Sequence, residues 1–306
     1  MSKIKENIIE PSWKIISEDF SLRKFYFLPW MVSVFFFTAL LVYQFTYTYV
    51  VFFWNQEAVL AVLLDYFHSE YLVPTLITWA IVFLFYIILN PIFENTVIQK
   101  INCKRNNKEI TISEAFWRWL YSFMAVFEYS NTFNTLKVIS IFNAYFFTVR
   151  VLWIERIVFL NYFFLFLLVI ATIINILSSF SKYIIITENK PIFEAFSKST
   201  KMVFLNIWTV LKLNFLMIIL NIRVLLNFLI FLGIPVLIIA SISFFASTIL
   251  IYAAVISLWI IGLILFLLMS YISTTLEIFK ISVWYFAYIE ARKKIISFEE
   301  DEKIKD

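Results

Sequence analysis

TENKPIFEAFSKSTKMVF, residues 187–204, interrupts a chain that otherwise reads as soluble in hydrocarbon. On a helix, Ile192, Phe193, Phe196, Val203 and Phe204 fall on one side, near the spacing of an amphipathic face. Glu194, Ser197, Lys198 and Lys201 fall on the other. Pro191 suits the first helical turn, and Asn189 a cap. About 13 residues are too few to cross a bilayer, which takes about 20, but enough to lie in its surface. Basic residues there face anionic head groups, each worth about 1 kcal/mol. The stretch predicts an interfacial helix that feeds a membrane span.

The composition agrees. Of 306 residues, 62% are hydrophobic and 15% charged, with a mean hydropathy of +0.88. Soluble domains average about 45–50% apolar and about 25% charged, so here the outside must be apolar as well. The expected fold class is an all-α integral membrane protein with about six transmembrane helices and interfacial amphipathic helices. The polar, mixed-charge segment before Phe27 is too long and too acidic for the n-region of a cleavable signal, so the first span is expected to remain as an anchor. The abundance of Phe (37) against Gly (2) fits AT-rich coding, which lowers the weight of any single Phe or Asn.

Spans are expected at about 27–54, 72–93, 138–149, 157–180, 205–232 and 244–270. Trp30 and Trp54 are placed as interfacial anchors of the first. The second carries Asn90-Pro91, and the third is bracketed by Lys137 and Arg150. A turn is expected near Gly233–Ser243, and a separate amphipathic helix at about 274–291. The domain reading is an N-terminal segment 1–26 with an amphipathic helix, a six-helix membrane domain 27–291, and a charged cytoplasmic tail 292–306 whose closing EEDEKIKD reads as disordered. Lysines and arginines crowd the N-terminal segment, the 98–118 and 182–201 connections and residues 291–294, whereas 55–71 has none. The positive-inside rule then puts both termini in the cytoplasm of a multi-pass cell-membrane protein.

The opening pattern recurs. NKEITISEAFWRWLYSF, residues 107–123, has the same Asn-Lys, short extended piece and Glu-Ala-Phe, and PSWKIISEDFSLRKF, residues 11–25, alternates similarly. The chain reads as three repeats of a surface helix followed by a two-span hairpin. KYIIITENKPIFEAFSKSTKMVFLNIWTVLKLNF resembles the membrane domain found at the N-terminus of some bacterial glycerophosphoryl diester phosphodiesterases, and related stand-alone inner-membrane proteins. The matching positions are Tyr183, Glu188, Glu194-Ala195, Ser199 and Trp208, and VWYFAYIEARKK (283–294) is similar to the closing helix of such domains. The resemblance implies a six-helix membrane domain without an attached hydrolase.

The residues that could carry chemistry are few. Asn206, Asn214 and Asn221 recur on one face of the fifth span, with Lys212, Arg223 and Asn227 on an adjoining face. They form either a groove for an anionic group such as a lipid phosphate, or interhelical hydrogen-bond glue with Lys212 reaching the surface. Arg150, Glu155 and Arg156 form either an internally paired cluster or an outer-surface anchor. Asp65, His68 and Glu70 are metal ligands by type, but a solvated loop is the simpler reading. Cys103 lies beside Lys104 and Arg105. One Cys and one His exclude an internal disulfide, bis-His haem and the His-Glu-x-x-His zinc pattern. No cofactor is implied, and a net charge of +4 is explained by the loops without nucleic acid. The sequence points to a non-enzymatic protein that contacts lipids, some anionic, or organises a protein partner on its cytoplasmic face. The alternative is a small transporter or lipid carrier using the fifth span.

Overall fold

All regular structure among the described residues is helical. The computed structural model describes residues 4–53, 65, 68–70, 72–108, 110–118, 122–151, 157–242 and 248–303. A π-helical turn, Lys5–Ile9, leads into α1 (Glu10–Glu18), which has Pro11 in its first turn. Then follow α2 (Phe20–Phe53), α3 (Leu72–Arg105), α4 (Ile112–Arg118), α5 (Phe123–Thr135) and α6 (Val138–Val151). After them come α7 (Ile157–Leu177), α8 (Ser181–Glu188), α9 (Ile192–Leu205), α10 (Ile207–Ile242) and α11 (Thr248–Lys303).

Among the described residues, four stretches are long and apolar enough to cross a membrane: Leu72–Arg105, Ile157–Glu188, Ile207–Leu226 and Ile260–Ser297. α6 is apolar but has only 14 residues, about 21 Å of helix against about 30 Å of hydrocarbon. α2 packs along α3 and α11, α10 along α11 and α7, and α6 along α7.

The long helices outrun the bilayer. α11 has 56 residues, about 84 Å of rise. The first half of α3 exposes Val73, Leu76, Ile81 and Leu84, as an all-round apolar helix in lipid must. The last three turns of the same helix bury Val97, Ile98 and Ile101 completely. These meet Ile184 and Ile185 of α8, Tyr285 and Tyr288 of α11, and Ile8, Ile15 and Ile16 from the N-terminal segment in one packed core. The molecule therefore has a lipid-facing half, and a packed end that holds both terminal segments, since α1 and the preceding turn lie against α11.

Several expectations are corrected. α10 runs through Gly233 and Pro235 to Ile242 without the turn assigned there. A membrane helix tolerates such residues because neighbours can satisfy the freed backbone groups. The sixth span, the 274–291 helix and most of the charged tail are one helix to Lys303. The 98–118 connection is helical to Arg105. The helix that carries the first expected span begins at Phe20, and its Trp30 packs against the buried core and stacks on Tyr26. Trp54 lies outside the described residues. The α2 start is set by Asp19, whose Oδ1 accepts the N–H groups of Ser21 (3.1 Å) and Leu22 (3.3 Å), a helix N-cap.

The opening stretch folds as α9, with its face rotated. Ala195, Ser199, Met202 and Val203 are the buried residues, while Phe193 is 88% and Phe204 67% exposed. Small residues four apart let α9 lie close on α8, and Ser199 shows why that approach is favourable. Its hydroxyl accepts the Phe180 N–H (3.1 Å) and donates to the Leu177 carbonyl (2.6 Å), closing the backbone gap between α7 and α8. Asn189 caps the preceding helix, not α9, in the left-handed conformation (φ 56°). Asn107, after α3, adopts the same conformation (φ 54°).

Candidate functional site

Where the lipid-facing half meets the packed end, five charges from four parts of the chain converge. Lys182 lies in the first turn of α8, just past the Ser199-latched break, and ion-pairs with Glu94 of α3. Lys280 of α11 pairs with Glu277 one turn before it and also donates to Asn221 Oδ1 of α10 at 3.0 Å. Lys137, in the short link between α5 and α6, is within electrostatic reach of Glu94, Lys182, Glu277 and Lys280. Lys137 makes no ion pair among the described residues and is exposed.

Beside this cluster is a cavity of about 220 Å³ lined by Tyr129, Asn175, Ser179, Lys182, Asn214 and Trp284, among others. Asn175 is fixed by its amide, which donates to the Leu136 and Ala171 carbonyls at 2.8 and 2.9 Å. Asn214 donates to the Val210 carbonyl at 3.1 Å. Tyr129 donates to the Ser178 carbonyl at 3.2 Å. Burial pushes its hydroxyl well above the ordinary tyrosine range, so it stays protonated.

Two further ionic knots hold the packed end. Asp19 pairs with Lys100 at 3.0 Å, both side chains largely buried. Burial pushes the Asp19 carboxyl up, but hydrogen bonds from Ser21 and Lys100, with the Lys100 charge, outweigh it and hold it below the ordinary carboxylate range. Glu188 accepts from Lys198 (2.6 Å) and Tyr288 (2.9 Å), with Arg292 at 3.4 Å. A second cavity, about 330 Å³, lies near it and includes Gln99, Asn102, Cys103 and Arg118 in its wall. Cys103 is buried, with Arg118 Nη1 3.6 Å from its sulfur.

The structure divides the polar residues of α10. Asn214 and Asn221 face the charge cluster. Asn206 is buried at the α9–α10 joint, where its amide donates to the Met202 carbonyl at 3.0 Å. Lys212 and Arg223 are exposed on the outer surface. The Asn227 side chain lies outside the described residues, as do Glu155, Arg156 and the side chain of Arg150. Asp65, His68 and Glu70 are exposed, and no group of three metal-ligating side chains occurs among the described residues.

From sequence, Glu94 and Glu277 could be weighed as bases but no partner was visible for either, Lys280 read as part of an amphipathic helix, and Lys182 as part of a basic connection. One signal was available. Lys100 and Lys182 each stand seven residues before an Asn-Lys pair whose Asn is left-handed.

Fold and site together define an all-α membrane protein with at least four helices suited to crossing a bilayer. Compared with protein-family models, curated proteins and solved structures, the chain matches none of them.

Proposed function

We propose that this chain is a non-enzymatic, multi-pass protein of the cell membrane that binds and organises lipid, anionic lipid in particular. The observation that carries the reading is the rim of the α9–α10 joint. Phe193, Phe204 and Trp208 (74% exposed) point away from the protein, with Lys201 and Lys212 exposed among them. Aromatic rings at head-group level with lysines reaching the phosphates describe an interfacial anchor. In this reading the chain has six spans in three repeats, both termini are cytoplasmic, and the basic packed end offers a surface to a protein partner. The two left-handed asparagines and the fully buried Ala115 and Ala195 of the two Glu-Ala-Phe segments support the repeat. The likeness to phosphodiesterase membrane domains belongs to the same proposal.

The test is native mass spectrometry of the protein released from nanodiscs of phosphatidylglycerol and phosphatidylcholine. Wild type should retain more phosphatidylglycerol than Lys201→Gln/Lys212→Gln. Equal retention by both would overturn the reading. The carrier alternative is favoured by the cavity that includes Asn214 and Lys182. Protein-dependent solute flux in liposomes would establish it.

A further inference from the structure

We propose a second site, for a neutral, hydroxyl-rich head group, in the cavity of about 220 Å³ that Asn214 of α10 and Lys182 of α8 help to wall. It shares no residue with the rim, and the lipid it takes carries no charge. The protons of the wall decide the class of ligand. Asn175 gives its amide to the Leu136 and Ala171 carbonyls, and Ser179 its hydroxyl to the Asn175 and Ile176 carbonyls. Tyr129 donates to the Ser178 carbonyl, and Tyr183 to that of Ile281. These four wall residues therefore have only oxygen lone pairs left for a ligand. Two others keep protons. Asn214 has given one of its two amide hydrogens, to Val210, and Lys182 one of its three, to Glu94.

That balance sorts the ligands. A phosphate or carboxylate only accepts, and would meet four groups that also only accept. An ammonium only donates, and would meet the Lys182 charge. A hydroxyl does both: it donates to the four spent groups and accepts from Asn214 and Lys182. The Lys182–Glu94 pair adds no net charge, which suits a neutral ligand. Trp284 and the two tyrosine rings supply apolar wall for the C–H surface of a sugar. The source of the hydroxyls is a lipid, a step that rests on the rim reading, which sets Trp208 at head-group level. Asn214 lies six residues further along α10, about 9 Å of rise, so the cavity sits just inside the head groups. Around Asn214, α10 exposes Leu211, Phe215 and Ile218, an apolar track for acyl chains.

The probe is glucosyl-diacylglycerol, added to the full-length protein in phosphatidylcholine nanodiscs and followed by native mass spectrometry. Wild type should retain one glucosyl-diacylglycerol in preference to diacylglycerol with the same chains. Asn214→Leu should weaken that retention about tenfold, and Ser179→Ala should act in the same direction. Both residues bond carbonyls of their own helix, so the fold should survive, and unchanged labelling of Cys103 by a thiol reagent checks it. Equal retention of the two lipids by wild type would mean that the cavity holds only water, and overturns the proposal. So does glycolipid retention by folded Asn214→Leu and Ser179→Ala equal to that of wild type. Resistance to excess methyl glucoside supports the lipid as the source; displacement by it would assign the hydroxyls to a soluble sugar and overturn that step. Lys201→Gln/Lys212→Gln should lose phosphatidylglycerol but keep the glycolipid. Loss of both would reduce the two sites to the rim and remove this one.

Discussion

The two halves of α3 show two solvents acting on one helix. From Leu72 to about Ile88 many of its apolar side chains face outward, with Trp79 and Phe83 packed on Phe36 of α2, whereas Val97, Ile98 and Ile101 are fully enclosed. In the first half lipid replaces protein as the apolar medium, so packing there contributes little to the difference between folded and unfolded states in a membrane. At the packed end, burial works as in a soluble protein. Stability should therefore be concentrated at one end of a molecule whose composition is apolar almost everywhere.

Substitution can break that comparison. The largest loss is expected from Ile98→Ala and Ile184→Ala, each about 2–5 kcal/mol. Cys103, the sole thiol and buried at this end, supplies the readout, since its labelling rate should rise sharply in both variants. A rate like that of wild type would mean the packed end is not the stable core.

Next is Glu94→Gln, which strands Lys182 and should cost about 3 kcal/mol, as breaking a largely buried pair does. The double variant Glu94→Gln/Lys182→Met should recover much of this, because no lone charge remains. Thermal unfolding in detergent compares the three. A double variant as weak as the sum of the singles would exclude coupling between the two residues.

Asp19→Ala removes both a helix cap and the partner of Lys100, and is expected to cost about 1–2 kcal/mol. Its pH signature has a definite sign. The folded pKa lies below the ordinary 3.8, so the stabilisation is complete above that value and fades as pH falls through the lower folded one. Circular dichroism melts followed downward through and below pH 3.8 should show wild type losing more stability than Asp19→Asn. Parallel slopes would mean that Asp19 gains nothing from Lys100 on folding.

The smallest effect belongs to the lipid-facing half. Ile81→Ala and Leu263→Ala should each stay within about 0.5 kcal/mol of wild type. A loss comparable to that of Ile98→Ala would mean that protein, not lipid, covers these faces in the native state, and would point to self-association.

The division follows from what sequence can carry. All-round apolar runs mark the first part of α3 and α7 as membrane helices because lipid and the neighbouring helices both offer them an apolar surface. The parts of the packed end around Lys100 and Lys182 were read as connections because these residues look like solvated charges when their partners, Asp19 and Glu94, lie 81 and 88 residues away. Periodicity cannot report such distant pairings. Gly233-Ile-Pro235 was read as a break by the rules for helices in water. The rotated face of α9 was legible in part: Ala195 and Ser199, one turn apart, mark the side of closest approach, but the bulky Phe193 and Phe204 dominate the pattern.

One consequence of α11 concerns mechanics. A helix unbroken over 56 residues has no joint to absorb bending between its lipid-facing turns and the Tyr285–Tyr288 core. Any tilt imposed by the thickness of the bilayer is delivered to the far end as sideways displacement. With about 40 Å of helix beyond the bilayer, a tilt of about 10° moves that end by about 7 Å. Membrane thickness thus becomes a mechanical input to the packed end, and the labelling rate of Cys103 should depend on the acyl-chain length of the surrounding lipid.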